Sequence, residues 1–190
     1  AFSYQLSHDI QTPMRGILSI IDFIKEDDAD ALSIALKEKI DEIHNRAKYG
    51  LALVNSTIEY AKVSKENLVC SSFKIKDTAT LILNNFINSD SIKLEFNNCD
   101  QYIITSEYAM QVVLQNLMSN SQKFNDKNTC IISISLNTEH NRILIDYKDN
   151  GPGISQKYVN KIFEIFGTLH SKSENSTGIG LAIVKTVLHK

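Results

Sequence analysis

Ser7-His8-Asp9-Ile10-Gln11-Thr12-Pro13 is the stretch from which the fold of this chain can be worked out. It lies in a segment whose apolar residues recur at alternating spacings of four and three, which is typical of a helix that packs along one stripe. The stripe consists of Ile10, Met14, Ile17, Ile21 and Ile24. At about 100° per residue, His8 falls on the opposite, polar side. The spacing predicts a helix over residues 2–26 that presents His8 to solvent.

His8 taken alone would be an ordinary surface residue, but its neighbours suggest chemistry. An imidazole can accept a phosphoryl group when one nitrogen attacks and the other keeps a defined proton, and Asp9 can fix that tautomer. Thr12 follows one turn later on the same face, where its hydroxyl could orient a water that removes the phosphoryl group. The stretch therefore indicates a candidate phosphoryl acceptor.

Composition limits the class of protein. The 190 residues are 43% hydrophobic, which suffices for one large or two small domains, and a net charge of −2 makes nucleic acid an unexpected partner. Three widely spaced cysteines without a CxxC pair argue against a disulfide framework or zinc site and fit a reducing cytosol. No apolar run approaches the roughly 20 residues that span a bilayer, so we expect a cytoplasmic chain without membrane contact in these residues.

A second helix is predicted to continue to about Val63. Its apolar stripe consists of Leu36, Ile40, Ile43, Ala47, Gly50, Val54, Ile58 and Ala61. Two antiparallel helices with one stripe each cannot enclose a core, whereas two such hairpins close a four-helix bundle. A symmetric homodimer is therefore the simplest arrangement, and packing of the hairpin on the rest of its own chain is the alternative.

From about Phe73 the pattern becomes mixed α/β, after a junction at residues 65–72. We expect helices over residues 78–86, 107–123, 156–166 and 180–190, and strands over residues 93–97, 102–105, 131–136 and 142–148. The last two strands should form a β-hairpin because a turn-like polar stretch separates them.

The segment Asn116-Leu117-Met118-Ser119-Asn120-Ser121-Gln122-Lys123-Phe124 places Asn116, Asn120 and Lys123 on one helix face. Carboxamide oxygens can ligate Mg²⁺ without adding negative charge beside a triphosphate, and an ammonium can neutralise phosphate. A polar surface stripe explains this face equally well. Phe124 either packs near a bound ring or belongs to the core.

Two glycine-containing stretches follow. Asp149-Asn150-Gly151-Pro152-Gly153 fits an ordinary turn, but Asp149 at a strand end could also accept from an exocyclic amine such as adenine N6, with Gly151 and Gly153 permitting close approach of the ring. Thr177-Gly178-Ile179-Gly180-Leu181 precedes an apolar helical run, so its backbone N–H groups would face an anion such as phosphate. Residues 167–175, between them, suit a lid.

The order and spacing of these stretches resemble the sensor histidine kinases over nearly the whole chain. SHDIQTP resembles the H-box of that family, NLMSNSQKF its N-box, DNGPGI its G1 box, FEIF its F-box and STGIGLAIVK its G2 box. The resemblance implies an α+β architecture. Residues 1–66 would be a dimerisation and histidine-phosphotransfer hairpin that forms a dimeric four-helix bundle, and residues 67–190 an α/β sandwich of the Bergerat, or GHKL, type that binds ATP.

The resemblance also implies roles for individual residues. His8 would be the phosphoacceptor, Asp9 its base, Thr12 a phosphatase-type residue, Asn120 the Mg²⁺ ligand and Asp149 the adenine anchor. The other residues expected to bind ATP are Asn116, Lys123, Phe124, Gly151, Gly153, Lys172, Thr177, Gly178, Gly180 and Leu181. The implied activity is autophosphorylation of a histidine with Mg²⁺ and ATP, followed by transfer to an aspartate of a response-regulator receiver domain.

The chain departs from the family pattern at three places. Gln11 stands where a basic residue is common, and no arginine follows the F-box, which leaves Lys172 as the nearest lid cation for the γ-phosphate. The family normally continues with two further strands beyond Lys190, so we expect a sheet that lacks its last strands, in a domain that is either truncated or abbreviated. These departures keep open a kinase-deficient phosphatase or scaffold of the same fold, and a GHKL-type ATPase related to gyrase or mismatch-repair proteins is a further rival.

Overall fold

The computed structural model describes residues 2–27, 32–65, 68–86, 89–140, 142–168 and 176–190, with side chains from Asp9 onward. The chain divides into two compact units. The first comprises residues 1–64 and 160–182, and the second comprises residues 65–159 and 183–190. No helix among the described residues is long and apolar enough to cross a membrane.

Two long helices make up most of the first unit. Helix α1 spans Phe2–Asp27 and continues through Pro13, and helix α2 spans Ile34–Lys65. Ser33 caps α2, since its Oγ accepts a hydrogen bond from the backbone N–H of Leu36 at 3.3 Å. Helix α1 confirms the predicted span to within one residue, and α2 ends two residues beyond its predicted end at Val63.

The apolar stripes of the hairpin are only partly buried. Ile21 of α1 and Ile40 and Ala47 of α2 are buried, and a Cβ on Gly50 would lie 2.9 Å from the terminal methyl of Met14, so the helices approach closely there. Other members of the predicted stripes remain exposed, namely Ile10, Ile17, Leu36 and Ile43. Each stripe thus has one part that packs within the hairpin and another part that a single chain leaves uncovered.

The second unit is a mixed α/β structure. Its strands are β1 Ser71–Phe73, β2 Ile92–Asn97, β3 Ile103–Thr105, β4 Cys130–Glu139 and β5 Arg142–Asp149. Its helices are α3 Ile75–Asn84 and α4 Glu107–Phe124, and helix α5, Gly180–Leu188, begins in the first unit and ends in the second. Ser106 caps α4 by accepting from the N–H of Ala109 at 3.3 Å.

The main sheet has the order β2-β4-β5, with β2 parallel to β4 and β4 antiparallel to β5. The β4–β5 pair confirms the predicted β-hairpin. Its register pairs Ile132 with Asp149, so the end of β5 lies beside the beginning of β4. Strands β1 and β3 form a separate antiparallel pair.

Strict alternation along β4 builds the core, because alternate side chains of a strand point to opposite faces of the sheet. Cys130, Ile132, Ile134 and Leu136 are all buried on one face. Apolar residues of α3 and α4 complete this core, among them Ile75, Ala79, Ile82, Leu114 and Met118. Two helices over a sheet are the α/β sandwich expected from the sequence, and the α+β fold class is confirmed.

Two local predictions were wrong. Residues 156–166 form two short 3-10 turns, Gln156–Tyr158 and Lys161–Phe163, instead of an α-helix. The segment is rich in β-branched, aromatic and Asn residues of low helix propensity, and Phe166 has a φ of 65°, which no right-handed helix can contain. Strand β1, which begins at the end of the predicted junction, was missed because three residues carry too little pattern.

Candidate functional site

Helix α1 carries the candidate acceptor. The backbone of His8 lies in this helix, and its side chain is outside the described part of the chain. Thr12 is exposed, as the polar face predicted, and Asp9 is exposed as well. Gln11 Nε2 donates to Asn55 Oδ1 at 2.6 Å and so links α1 to α2 beside this turn. The departure from the family at Gln11 thus has a structural role within the hairpin.

Helix α4 presents the predicted polar face of the second unit. Asn116, Asn120 and Lys123 are half-buried along this helix, and Asn116 Nδ2 donates to the carbonyl of Val112 at 2.8 Å. Burial lowers the pKa of the Lys123 ammonium, whose Nζ lies 5.2 Å from the centre of the Phe124 ring. This face combines carboxamides, one cation and an aromatic ring that is 39% exposed.

The Asp149 carboxylate is exposed at the end of β5, and two hydrogen bonds fix its orientation. Oδ1 accepts from the backbone N–H of Gly151 at 2.9 Å, and Oδ2 accepts from Ser121 Oγ of α4 at 2.9 Å. Ser121 Oγ also lies 2.8 Å from the phenol oxygen of Tyr147. Burial raises the pKa of Tyr147 far above its ordinary value, so the phenol keeps its proton.

Asn150 fastens the turn that follows Asp149 to the beginning of β4. Its Oδ1 accepts from the N–H of Ile131 at 2.9 Å, and its Nδ2 donates to the carbonyl of Thr129 at 3.1 Å. Its backbone carbonyl accepts from Lys127 Nζ. Hydrogen bonds of both the side chain and the backbone of Asn150 therefore hold the turn, and with it Asp149 and Gly151, in place.

The two glycines of this turn have distinct steric reasons to be glycine. A Cβ on Gly151 would come within 2.9 Å of Asp149 Oδ1, so only glycine leaves the carboxylate uncovered. Gly153 has a φ of 76°, which L side chains adopt at a cost of about 1 kcal/mol. The turn thus exposes a fixed carboxylate beside a surface without side-chain bulk.

The other glycine stretch belongs to the first unit. Thr177 Oγ1 donates to Ser56 Oγ of α2 at 3.3 Å and accepts from the N–H of Ile179 at 3.4 Å. Gly178 has a φ of 67°, and a Cβ there would lie 2.7 Å from the carbonyl carbon of Phe166. Gly180 is the first residue of α5, and Leu181 is half-buried. Lys172 lies outside the described residues.

Sequence reasoning missed Ser121, Tyr147 and Asn150. Ser121 did carry a signal, because it continues the spacing of the buried residues Leu114 and Met118 on α4 and is a polar residue in an apolar position. A buried hydroxyl there needs a partner. The partners lie 26 and 28 residues further along the chain, on a strand whose register the sequence does not reveal.

Comparison with known proteins identifies the family. Residues 1–66 match the family model described as the His Kinase A (phospho-acceptor) domain. Residues 105–190 match the model described as histidine kinase-, DNA gyrase B-, and HSP90-like ATPase. The chain belongs to the sensor histidine kinases. The two matches fall on the helical hairpin and on the segment from β3 to the end of the chain.

Curated relatives of this chain occur in bacteria and eukaryotes. It is 27% identical over 202 residues to the autoinducer 2 sensor kinase/phosphatase LuxQ of Vibrio vulnificus, covering 98% of this chain and 23% of the relative. It is 27% identical to cyanobacterial phytochrome B of Nostoc over all of this chain and 26% of the relative. Histidine protein kinase 1 of Candida albicans is 28% identical over 97% of this chain. The chain spans about a quarter or less of the length of these relatives.

Solved structures share the fold of this chain. Full-length ShkA in complex with AMPPNP matches with a TM-score of 0.66 at 20% identity, over 97% of this chain and 40% of that one. The histidine kinase AdeS of Acinetobacter baumannii matches with a TM-score of 0.62 at 19% identity, over 94% of this chain and 82% of that one. At these identities the likeness concerns the fold alone.

Proposed function

We propose that this chain transfers the γ-phosphoryl group of ATP to His8 and then to an aspartate of a response-regulator receiver domain. The observation that carries the proposal is the exposed Asp149 carboxylate, fixed by two hydrogen bonds beside helix α4. Membership of the sensor histidine kinases supports the same activity. The domain boundaries at residues 66 and 67, and the roles of single residues, are part of this proposal.

Asp149 accepts a hydrogen bond from the exocyclic amine of adenine. The fit is supported by Gly151, because a Cβ at that position would approach Asp149 Oδ1 to 2.9 Å and obstruct a flat base. Phe124, which is partly exposed, offers its ring for packing against the nucleotide. Gly153 contributes a turn without side-chain bulk.

The polar face of α4 serves the phosphates. Lys123 neutralises phosphate charge, and the carboxamide oxygens of Asn120 and Asn116 suit Mg²⁺, which prefers oxygen ligands and binds together with substrate phosphates. Mg²⁺ supplies charge neutralisation and orientation of the triphosphate when it is bound. Asn120 is its proposed protein ligand. Thr177, Gly178, Gly180 and Leu181 contribute backbone N–H groups to phosphate, with Lys172 as the lid cation.

His8 acts as the nucleophile. One imidazole nitrogen attacks the γ-phosphorus, the bond to the β–γ bridging oxygen breaks, and ADP leaves. Asp9, the next residue, takes the proton of the other nitrogen and stabilises the charge that develops on the ring. The phosphohistidine then passes its phosphoryl group to the receiver-domain aspartate, Asp9 returns the proton to the ring, and His8 regains a neutral imidazole.

A second copy of the chain covers the exposed part of the hairpin stripes. Ile10, Ile17, Leu36 and Ile43 are each more than two-fifths exposed although they lie on the packing stripes. Two hairpins in a four-helix bundle would bury them in a symmetric interface. The proposal is therefore a homodimer formed through the N-terminal hairpin.

Labelling tests the proposal. The full chain incubated with Mg²⁺ and γ-labelled ATP should take up label that is lost in acid and kept in base. His8→Gln should take up none while it still binds ATP, and His140→Gln, which removes an exposed histidine elsewhere, should label like the wild type. Label that persists in His8→Gln would remove His8 from its role.

Phosphatase activity is a second candidate, favoured by the exposed Thr12 one turn after His8. The Thr12 hydroxyl would orient a water for attack on the phosphorylated receiver domain. Thr12→Ala should keep autophosphorylation and lose most of the dephosphorylation. Calorimetric titration with ATP separates a kinase from a kinase-deficient phosphatase or scaffold of this fold, because the latter would bind ATP poorly.

A further inference from the structure

Ser121 is the last residue of the buried stripe of α4, and only 5% of it is exposed. Its Oγ lies 2.8 Å from the phenol oxygen of Tyr147, 2.9 Å from Asp149 Oδ2 and 3.1 Å from the carbonyl oxygen of Leu117. Three potential partners surround a group that has one hydrogen to donate. The partner that accepts this hydrogen therefore decides which groups donate and which accept in the hydrogen bonds around Ser121.

The direction follows from the chemistry of the partners. Tyr147 keeps its phenolic proton because burial raises its pKa, so its O–H donates to Ser121 Oγ. Ser121 then donates its own hydrogen to Asp149, because an ionised carboxylate is a stronger acceptor than the neutral carbonyl of Leu117. The result is a chain of donors from Tyr147 through Ser121 to Asp149, in which each bond polarises the next.

This chain restrains the Asp149 carboxylate. Oδ2 is held by Ser121 and Oδ1 by the N–H of Gly151, so rotation of the carboxylate would break one bond or both. Each carboxylate oxygen has two lone pairs, so each keeps one for an incoming donor. Asp149 is thus presented as an acceptor in a fixed orientation before any nucleotide arrives.

Resting on the proposed ATP site, we propose that Ser121 and Tyr147 are positioning residues that set the base selectivity of that site. They hold Asp149 in the orientation that accepts from an amine at C6 of a purine. A purine with hydrogen at C6 forfeits this bond, and a purine with a carbonyl at C6 turns an acceptor toward the carboxylate. Selectivity of this kind depends on the orientation of the acceptor as well as on its presence.

Binding experiments with three nucleotides test the proposal. The full chain, Ser121→Ala and Tyr147→Phe are titrated calorimetrically with ATP, purine riboside triphosphate and inosine triphosphate. In both variants ATP affinity should fall about tenfold, as expected for a weakened charge-assisted hydrogen bond, while purine riboside triphosphate changes less than twofold. Tyr102→Phe, which removes the same oxygen from a ring that is 68% exposed, should behave like the wild type.

The outcomes are separable. An equal loss of affinity for all three nucleotides would mean that Ser121 and Tyr147 only support the structure, and an unchanged preference for ATP in both variants would overturn the proposal. Tyr147→Phe keeps the ring and its packing. If Ser121→Ala fails to fold, the nucleotide affinities of Tyr147→Phe are sufficient to test the proposal. A wild-type chain that binds none of the nucleotides would instead overturn the proposed ATP site.

Discussion

His44 Nε2 of α2 donates to Asp22 Oδ1 of α1 at 3.2 Å, so a buried imidazole joins the two helices of the hairpin. Its Nδ1 lies 3.3 Å from Lys25 Nζ, which also bonds to Asp41 Oδ1 at 2.5 Å. Since the ammonium can only donate, Nδ1 is the acceptor and Nε2 carries the proton. Four side chains from two helices therefore form one continuous network.

His44→Ala should destabilise the hairpin by about 2 kcal/mol, because it removes two hydrogen bonds and leaves a cavity between the helices. Thermal unfolding followed by circular dichroism measures the effect. His189→Ala, at an exposed position near the end of the chain, is the control. A His44→Ala variant as stable as the control would show that the network contributes nothing to the pairing of the helices.

Asp41 gives this network a pH dependence. The hydrogen bond from Lys25 and the attraction of its charge lower the pKa of the Asp41 carboxyl below its ordinary 3.8. When folding lowers the pKa of a carboxyl group, the ionised group stabilises the folded chain. This stabilisation is complete when the pH lies above the ordinary pKa, and it is lost as the pH falls through the lowered pKa. Denaturant unfolding at about pH 7 and about pH 3 should show a steeper loss of stability in the wild type than in Asp41→Asn. Equal slopes would contradict the ion pair.

Gly151→Ala should weaken nucleotide binding without unfolding the chain. Its Cβ would come within 2.9 Å of Asp149 Oδ1 and force the carboxylate away from its position. We expect ATP affinity to fall about tenfold or more, which corresponds to about 1.4 kcal/mol. Gly16→Ala is the matched control, because nothing lies within 4 Å of an added Cβ and alanine favours the helix. Normal affinity in Gly151→Ala would remove Asp149 from the nucleotide site.

Ile43→Glu should shift the protein from dimer to monomer. Ile43 is 53% exposed in a single chain although it lies on the packing stripe of α2, so a charge there would be buried in the proposed bundle. Light scattering coupled to size exclusion measures the mass. Lys48→Glu, at an exposed position of the same helix, should remain dimeric. A wild-type chain that is monomeric throughout would place the exposed stripe in some other interface.

Long periodic elements of this fold can be predicted from the sequence. Helices α1, α2 and α4 carry apolar stripes over many turns, and buried and less buried side chains alternate along most of the ten residues of β4. Patterns of this length rarely arise by chance, so they identify the elements. The short strand β1 and the turns over residues 156–166 depend on tertiary contacts and on backbone angles that no pattern records.

The candidate site likewise contains residues that can be predicted from the sequence and residues that cannot. Asp149, Gly151 and the Asn120 face stand in local motifs and are visible in the sequence. The hydrogen bonds from Tyr147 and Ser121 to Asp149 depend on the position of α4 against β5, which is a three-dimensional fact. The residues that position a carboxylate are thus harder to predict than the carboxylate itself.

The position of the phosphoryl group in the labelled chain shows whether His8 is the phosphoacceptor. The wild-type chain is incubated with Mg²⁺ and ATP, digested at alkaline pH, and the peptides are sequenced by tandem mass spectrometry. If His8 is the phosphoacceptor, one phosphopeptide is found, with the modification on His8 and nowhere else. Phosphate found on another residue, or none found in a chain that demonstrably binds ATP, would contradict it.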